Sequence, residues 1–108
     1  MVLWHSEPSW VKAFTERSEN MVRRYKNHAS IVMWSLGNES GNGINFKSAA
    51  EAVKKLDDTR PTHYEGNSSY CDVTSSMYPD VQWLESVGKE RLQKFQNGET
   101  VKPHVVCE

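Results

Sequence analysis

The chain has 108 residues, of which 37% are hydrophobic and 25% are charged, and its formal net charge is −1. This length suits one small domain, residues 1–108, and the charge balance gives little reason to expect nucleic-acid binding, which requires a strongly basic face. No apolar run approaches the length of a membrane span and no signal-peptide pattern opens the sequence, so we expect a cytoplasmic protein that binds no membrane.

Helical and strand patterns alternate along the chain. Apolar spacing predicts three helices, at residues 7–27, from Gly43 to Asp57, and at 80–95. Runs rich in β-branched and aromatic residues predict four short strands, at 31–36, 62–66, 73–78 and 103–108. The capping residues that we expect are Ser6 for the first helix and Asn42 or Asn45 for the second.

This alternation is typical of parallel βαβ units, and the short strands suit a barrel better than a long open sheet. A (β/α)₈ barrel needs eight strands, whereas this chain offers four strands and three helices. The sequence therefore predicts an α/β fold, part of a (β/α)₈ TIM barrel, that cannot close by itself. Its exposed strand edges and apolar face predict self-association into a homo-oligomer.

Two carboxylates stand at the ends of predicted strands. Glu39 follows the apolar run 31–36 in the segment Gly37-Asn38-Glu39, and Glu108 ends the last strand. In a parallel barrel the carboxyl ends of all strands lie at one face, so the two groups would converge there. Paired carboxylates at a barrel mouth suit glycoside hydrolysis. The alternative at this point is that each is a solvated loop charge or an ion-pair partner.

Other reactive side chains have structural interpretations. We expect Cys71 and Cys107 to be reduced thiols, with a disulfide or a metal site as alternatives, and Cys107 to be a small packed residue. The four histidines are too widely spread in the sequence to suggest a metal cluster. Trp34 and Trp83 are expected in the core rather than as sugar-stacking platforms. Along the strand at 62–66, either Tyr64 or the two residues that flank it face the barrel interior.

Four motifs resemble glycoside hydrolase family 2, and its β-galactosidase branch above all. The first is N-H-A-S-I-V-M-W-S-L-G-N-E-S-G-N-G at residues 27–43, which resembles the family's acid/base strand. In order along the chain, R-P-T-H-Y-E-G at 60–66, S-M-Y at 76–78 and K-P-H-V-V-C-E at 102–108 resemble its fifth, sixth and seventh barrel strands. The likeness extends over almost the whole chain, with Ala29 in place of the family's usual proline.

The resemblance implies a role for four residues. Glu39 matches the general acid/base and Glu108 the catalytic nucleophile of a retaining double displacement. Asn38 matches the residue that hydrogen-bonds the sugar 2-hydroxyl, and Tyr78 the tyrosine beside the nucleophile. Mg²⁺ is the implied cofactor, with Glu39 as a possible ligand, although we expect this chain to bind no cofactor tightly. The implied substrate is a terminal β-D-galactoside.

The same family leaves other possibilities open. Its β-glucuronidase and β-mannosidase members share the Asn-Glu pair, so the substrate could be another β-glycoside. Barrel strands one to three and eight have no counterpart here, so the isolated chain could instead be catalytically inactive. A non-catalytic sugar-binding module is a third alternative, which predicts galactose binding without hydrolysis.

Overall fold

The computed structural model describes residues 4–66 and 69–107, in which three α-helices and four short strands alternate. A single 3₁₀ turn, Pro8–Trp10, leads into α1, and the elements follow in the predicted order. Their bounds are α1 Val11–Tyr25, β1 Trp34–Asn38, α2 Ile44–Leu56, β2 Thr62–Glu65, β3 Thr74–Ser76, α3 Val81–Gln96 and β4 His104–Val106. The α/β class with parallel strands is therefore confirmed, and it is consistent with part of a barrel. None of the described helices is long and apolar enough to cross a membrane.

The predicted single sheet is divided in two. Strands β1 and β2 pair in parallel, as do β3 and β4, and the two pairs form separate sheets in the described part of the chain. Between them, the Thr62 carbonyl accepts backbone hydrogen bonds from Asp72 (3.0 Å) and Val73 (3.3 Å). We call the boundary between β2 and β3 the seam; beyond Thr62, side chains connect its two sides.

The core lies between the first sheet and helices α1 and α2. Trp34 of β1, Val22 of α1 and Val53 of α2 form one buried cluster, and the sequence prediction of a core Trp34 is confirmed. Tyr64 of β2 packs its ring against Phe46 of α2, with ring centroids 4.2 Å apart, in a second cluster. Because neighbouring strand residues point to opposite faces, Ser35, His63 and Glu65 lie on the face away from these helices.

The first strand differs from its prediction in position and burial. It spans Trp34–Asn38 rather than 31–36, and only Trp34 is buried within it. An apolar run such as 31–36 is typical of a strand buried on both faces, but this expectation is wrong here, because helices cover one face of the sheet while the other face carries polar residues. At Gly37, whose φ is +156°, an added Cβ would lie 3.3 Å from both the Phe46 and Tyr64 rings. The positive φ and these close ring contacts together favour glycine at the end of β1.

The capping predictions for the first two helices are also wrong. The Glu7 carboxylate, rather than Ser6, accepts from the Ser9 backbone N–H at the first helical turn (3.5 Å). Gly43 occupies the N-cap of α2, in place of Asn42 or Asn45. Asn45 is fully buried, and its Nδ2 instead donates to the carbonyls of Trp4 (2.7 Å) and Glu7 (2.9 Å). The asparagine thus ties the N-terminal segment to α2.

Helix α3 begins as expected, because the Asp80 carboxylate accepts from the Trp83 backbone N–H (2.7 Å). Its apolar face, however, is not buried: Val81 is 80% exposed and Phe95 71% exposed. Trp83 is 42% exposed beside the His104 ring, so the prediction of a core Trp83 is wrong. The second sheet is too small to cover a helix of this length.

Candidate active site

The segment that carries Asn38 and Glu39 leaves β1 at its carboxyl end. The Glu39 backbone N–H donates to the Glu65 carbonyl at 2.9 Å, which extends the pairing with β2 beyond an irregularity between Ser35 and Asn38. Both Asn38 and Glu39 are exposed. Their side chains are therefore available to a ligand at this end of the sheet.

Glu39 has a backbone conformation that non-glycine residues rarely adopt. Its φ is +47°, in the left-handed region, and Tyr78 has the same value. They are the only non-glycine residues with positive φ in the described ranges. Such conformations cost about 1–3 kcal/mol and are concentrated at functional sites. The structure therefore places unusual backbone at two positions where the family resemblance implied a function.

The Tyr64 hydroxyl holds the loop that follows Glu39. It accepts a hydrogen bond from the Ser40 backbone N–H (2.9 Å) and donates one to the Gly41 carbonyl (2.6 Å). Burial of the Tyr64 side chain raises the pKa of its hydroxyl, so the group stays protonated and keeps both bonds. One hydroxyl in the core thus fixes the backbone on the C-terminal side of Glu39.

The other implied residues lie farther along the chain. Tyr78 follows β3 by two residues and is 77% exposed. Glu108 lies outside the described residues, so its separation from Glu39, which family geometry sets at about 5–5.5 Å, stays a prediction. The structure thus brings Asn38 and Glu39 to one strand end and puts Tyr78 just beyond another.

A polar cluster that sequence reasoning missed lies on the face away from α1 and α2. His63 donates or accepts at both ring nitrogens, with Ser35 Oγ 3.0 Å from Nδ1 and Ser75 Oγ 2.9 Å from Nε2. The Cys107 thiol donates to the Glu65 carboxylate at 3.2 Å. Of the two sets that alternate along β2, His63 and Glu65 therefore face this cluster, whereas Tyr64 faces the helices.

The electrostatics of the cluster favour an ionised Glu65. A hydrogen bond from Ser75 lowers its pKa most, burial acts in the opposite direction, and the Cys107 thiol lowers it further.

The expectation that Cys107 is a packed residue is wrong, because the residue is exposed. Neither Cys107 nor Cys71 is in a disulfide, as predicted. In sequence, Glu65 and Cys107 are 42 residues apart, so no local motif connects them. The only sequence signal for the cluster was the alternation along β2, which puts His63 and Glu65 on one face.

The chain matches the family "Glycosyl hydrolases family 2, TIM barrel domain" over residues 2–108, and it belongs to that family. It is similar to "Beta-galactosidase 2" of Enterobacter cloacae, with 38% identity over 94% of this chain and 11% of the relative. The "Beta-galactosidase" of Pectobacterium atrosepticum is 39% identical and that of Kluyveromyces lactis 40% identical, each over 94% of this chain and 10% of the relative. The chain thus spans about a tenth of the length of these relatives.

Proposed function

We propose that the protein hydrolyses terminal β-D-galactosides with retention of configuration. The observation that carries the proposal is Glu39 itself, an exposed carboxylate with left-handed backbone at the carboxyl end of β1, in a chain that belongs to a glycosyl hydrolase family. The β-galactosidase names of the relatives support the choice of sugar. The four strands are proposed to be strands four to seven of a TIM barrel.

In the proposed mechanism one carboxyl group, Glu39, acts as general acid and base, and the other, Glu108, acts as nucleophile. Protonated Glu39 donates its proton to the glycosidic oxygen while the Glu108 carboxylate attacks the anomeric carbon, so the bond to the leaving group breaks as a glycosyl-enzyme ester forms. Glu39, now ionised, then takes a proton from water, which attacks the anomeric carbon and releases Glu108. Two inversions give net retention.

Asn38 and Tyr78 have supporting roles in this proposal. The Asn38 amide hydrogen-bonds the sugar 2-hydroxyl, a contact that strengthens as positive charge develops on the ring in the transition state. The Tyr78 hydroxyl is proposed to donate a hydrogen bond to the carboxylate of the nucleophile Glu108, a contact that favours the ionised form of a carboxyl group. The position of Asn38 at the end of β1 and that of Tyr78 just beyond β3 support these assignments.

Mg²⁺ fits this chain poorly as a cofactor. Magnesium prefers an octahedral set of oxygen ligands. Among the residues that the structure describes, Glu39 belongs to no group of three potential metal ligands, and the one such group found contains a histidine and a cysteine. Glu39 would supply at most a single ligand, so no step of the mechanism is assigned to the ion.

The reaction can be tested with matched aryl glycosides on the protein at the full length that its gene encodes. We expect the β-galactoside to be cleaved faster than the β-glucuronide and the β-mannoside, and proton NMR to show the β anomer of galactose as the first product. First release of the α anomer would contradict the double displacement. Preference for either other glycoside would move the protein to that branch of the family. Galactose binding without hydrolysis would indicate a sugar-binding module.

For the isolated 108-residue chain we propose self-association without catalysis. The exposed apolar face of α3 and the open edges of two short sheets favour this, because burying them removes apolar surface and pairs backbone groups. Light scattering should give at least twice the monomer mass of 12.4 kDa. Replacing Val81 and Phe95 together by Gln should lower that mass, whereas a monomeric unmodified chain would contradict the proposal.

A further inference from the structure

Three metal-binding side chains meet across the seam. His63 and Glu65 come from β2, and Cys107 follows β4, on the other side of the seam. One potential ligand atom from each (a ring nitrogen, a carboxylate oxygen and the thiol sulfur) lies within 4.8 Å of the other two. In a tetrahedral zinc site, ligand atoms about 2.0–2.3 Å from the metal lie about 3.3–3.8 Å from one another, so side-chain shifts of about 1 Å would bring all three into coordination distance.

We propose that His63, Glu65 and Cys107 form a binding site for a borderline-soft divalent cation of the Zn²⁺ type. Imidazole, thiolate and carboxylate are the three ligand types that zinc takes in proteins, and thiolate disfavours Mg²⁺ and Ca²⁺. The thiol loses its proton to solvent when the sulfur coordinates, and a water molecule completes the fourth position. This site is separate from Glu39 and does not depend on the proposed hydrolysis.

The contacts of His63 support its role as a ligand. Metal-binding histidines usually bind a protein group through the ring nitrogen that does not touch the metal, which fixes the ring. Here Ser35 Oγ, 3.0 Å from Nδ1, is such a partner. The opposite nitrogen, Nε2, faces Ser75, whose hydroxyl also bonds Glu65. The cation would replace Ser75 as the partner of Nε2, and the Ser75 hydroxyl would stay on Glu65.

The state of Glu65 also suits a cation. The carboxylate is buried, yet hydrogen bonds from Ser75 and Cys107 lower its pKa, so that it is ionised at neutral pH. A buried negative charge is costly unless it is paired, and a divalent cation on the same side of the sheet would pair it. Since the ligands come from both sheets, metal binding would also join β2 to the segment after β4.

Cobalt is a suitable probe, because Co²⁺ accepts the same ligands as Zn²⁺ and a thiolate bound to it gives a charge-transfer band in the near ultraviolet. We would titrate Co²⁺ into the metal-free protein at the full length that its gene encodes. The expected result is a thiolate–cobalt band that saturates at one equivalent and disappears when Zn²⁺ is added. Absence of this band would overturn the proposal.

Cys71 supplies a matched control. It is the other cysteine of the 108-residue chain, and it is buried. Burial raises the pKa of its thiol, which disfavours the thiolate that a metal requires. We expect Cys107→Ser to abolish the cobalt band and Cys71→Ala to retain it. A band that survives in Cys107→Ser, or that depends equally on Cys71, would show that the metal binds elsewhere. Circular dichroism of each variant verifies that its fold is intact.

Two further variants separate a built site from a lone thiolate. Ser35→Ala removes the partner of His63 Nδ1 and should weaken Co²⁺ binding about 10–100-fold, the usual effect of losing a group that orients a ligand. Glu65→Gln removes a ligand and should weaken binding at least as much. Unchanged affinity in both variants would mean that Cys107 binds cobalt without the cluster, contrary to the proposal.

Discussion

Glu39→Gln should lower kcat/KM for an aryl β-galactoside with a poor leaving group by about 10²–10⁴-fold, the usual contribution of general acid–base catalysis. Glutamine keeps the size and the left-handed position of the side chain, but it cannot donate a proton to the glycosidic oxygen. Leaving groups that depart without protonation, such as dinitrophenolate, should lose much less in the first step. A plot of rate against leaving-group pKa should therefore be steeper for the variant.

The second step gives an independent measurement. With an activated substrate the Glu39→Gln variant should accumulate its glycosyl-enzyme, because no base remains to activate water. Azide needs no such base, so added azide should restore turnover and give the β-galactosyl azide. Glu51→Gln, at an exposed position on α2, is the matched control and should behave like the unmodified protein. A Glu39→Gln variant within a few-fold of normal activity on poor leaving groups would refute the assignment.

The second large effect concerns Asp57, where α2 ends. Its carboxylate accepts from the Trp34 indole N–H (3.0 Å), from Arg60 (2.6 Å) and from the Thr59 backbone and hydroxyl. Arg60 in turn donates to the Ile31 carbonyl at 2.8 Å. This carboxylate thus joins the helix, the strand β1 that carries the site, and the segment before it.

Asp57→Asn should lower the Tm by on the order of 10 °C, because Arg60 loses its anionic partner in a half-buried position. Hydrogen bonds from Thr59 and Arg60 hold the pKa of Asp57 far below its usual range, although burial opposes them. A depressed carboxyl pKa gives stability that is present above the unfolded pKa of about 3.9 and is lost as pH falls below it. The variant should therefore lose less stability than the unmodified protein when the pH falls from 5 to 2.

Thermal unfolding followed by circular dichroism across that pH range measures both effects. Asp58→Asn is the matched control, since Asp58 is the exposed neighbour of Asp57 and has the same side chain. It should change neither the Tm at neutral pH nor the acid dependence by a comparable amount. Equal behaviour of the two variants would show that the Asp57 contacts contribute little to the fold.

The order of the elements was predictable because each helix carries a clear apolar spacing and the strands are separated by turn residues. The caps were not predictable in detail. Asn45 has a side chain suited to capping, but the N-terminal segment folds onto α2 and takes up the amide, so Gly43 caps the helix. Tertiary contacts there override the local preference of the residue.

Burial of aromatic residues was predictable only where the neighbouring elements belong to this chain. Trp34 lies between α1 and α2, so its burial follows from the local βαβ pattern. Trp83 sits on a helix whose apolar face is exposed, and the same reasoning failed there. The candidate residues differ in the same respect. The motif at 27–43 pointed to Glu39 from the sequence alone, whereas Cys107 and Glu65 are connected only by their contact in three dimensions.

The seam lies between the two parts of the proposed active site, one that follows β1 and one that follows β4. Glu39 directly follows β1 of the first sheet, and Cys107, which precedes Glu108 in sequence, directly follows β4 of the second. Backbone hydrogen bonds cross the seam at Thr62, the first residue of β2. Toward the carboxyl end of β2, the two sides of the seam are joined by side-chain hydrogen bonds, His63 to Ser75 and Cys107 to Glu65. If Glu39 and Glu108 act together as proposed, the spacing of their carboxylates would depend on these four side chains, so this part of the protein would tolerate few substitutions.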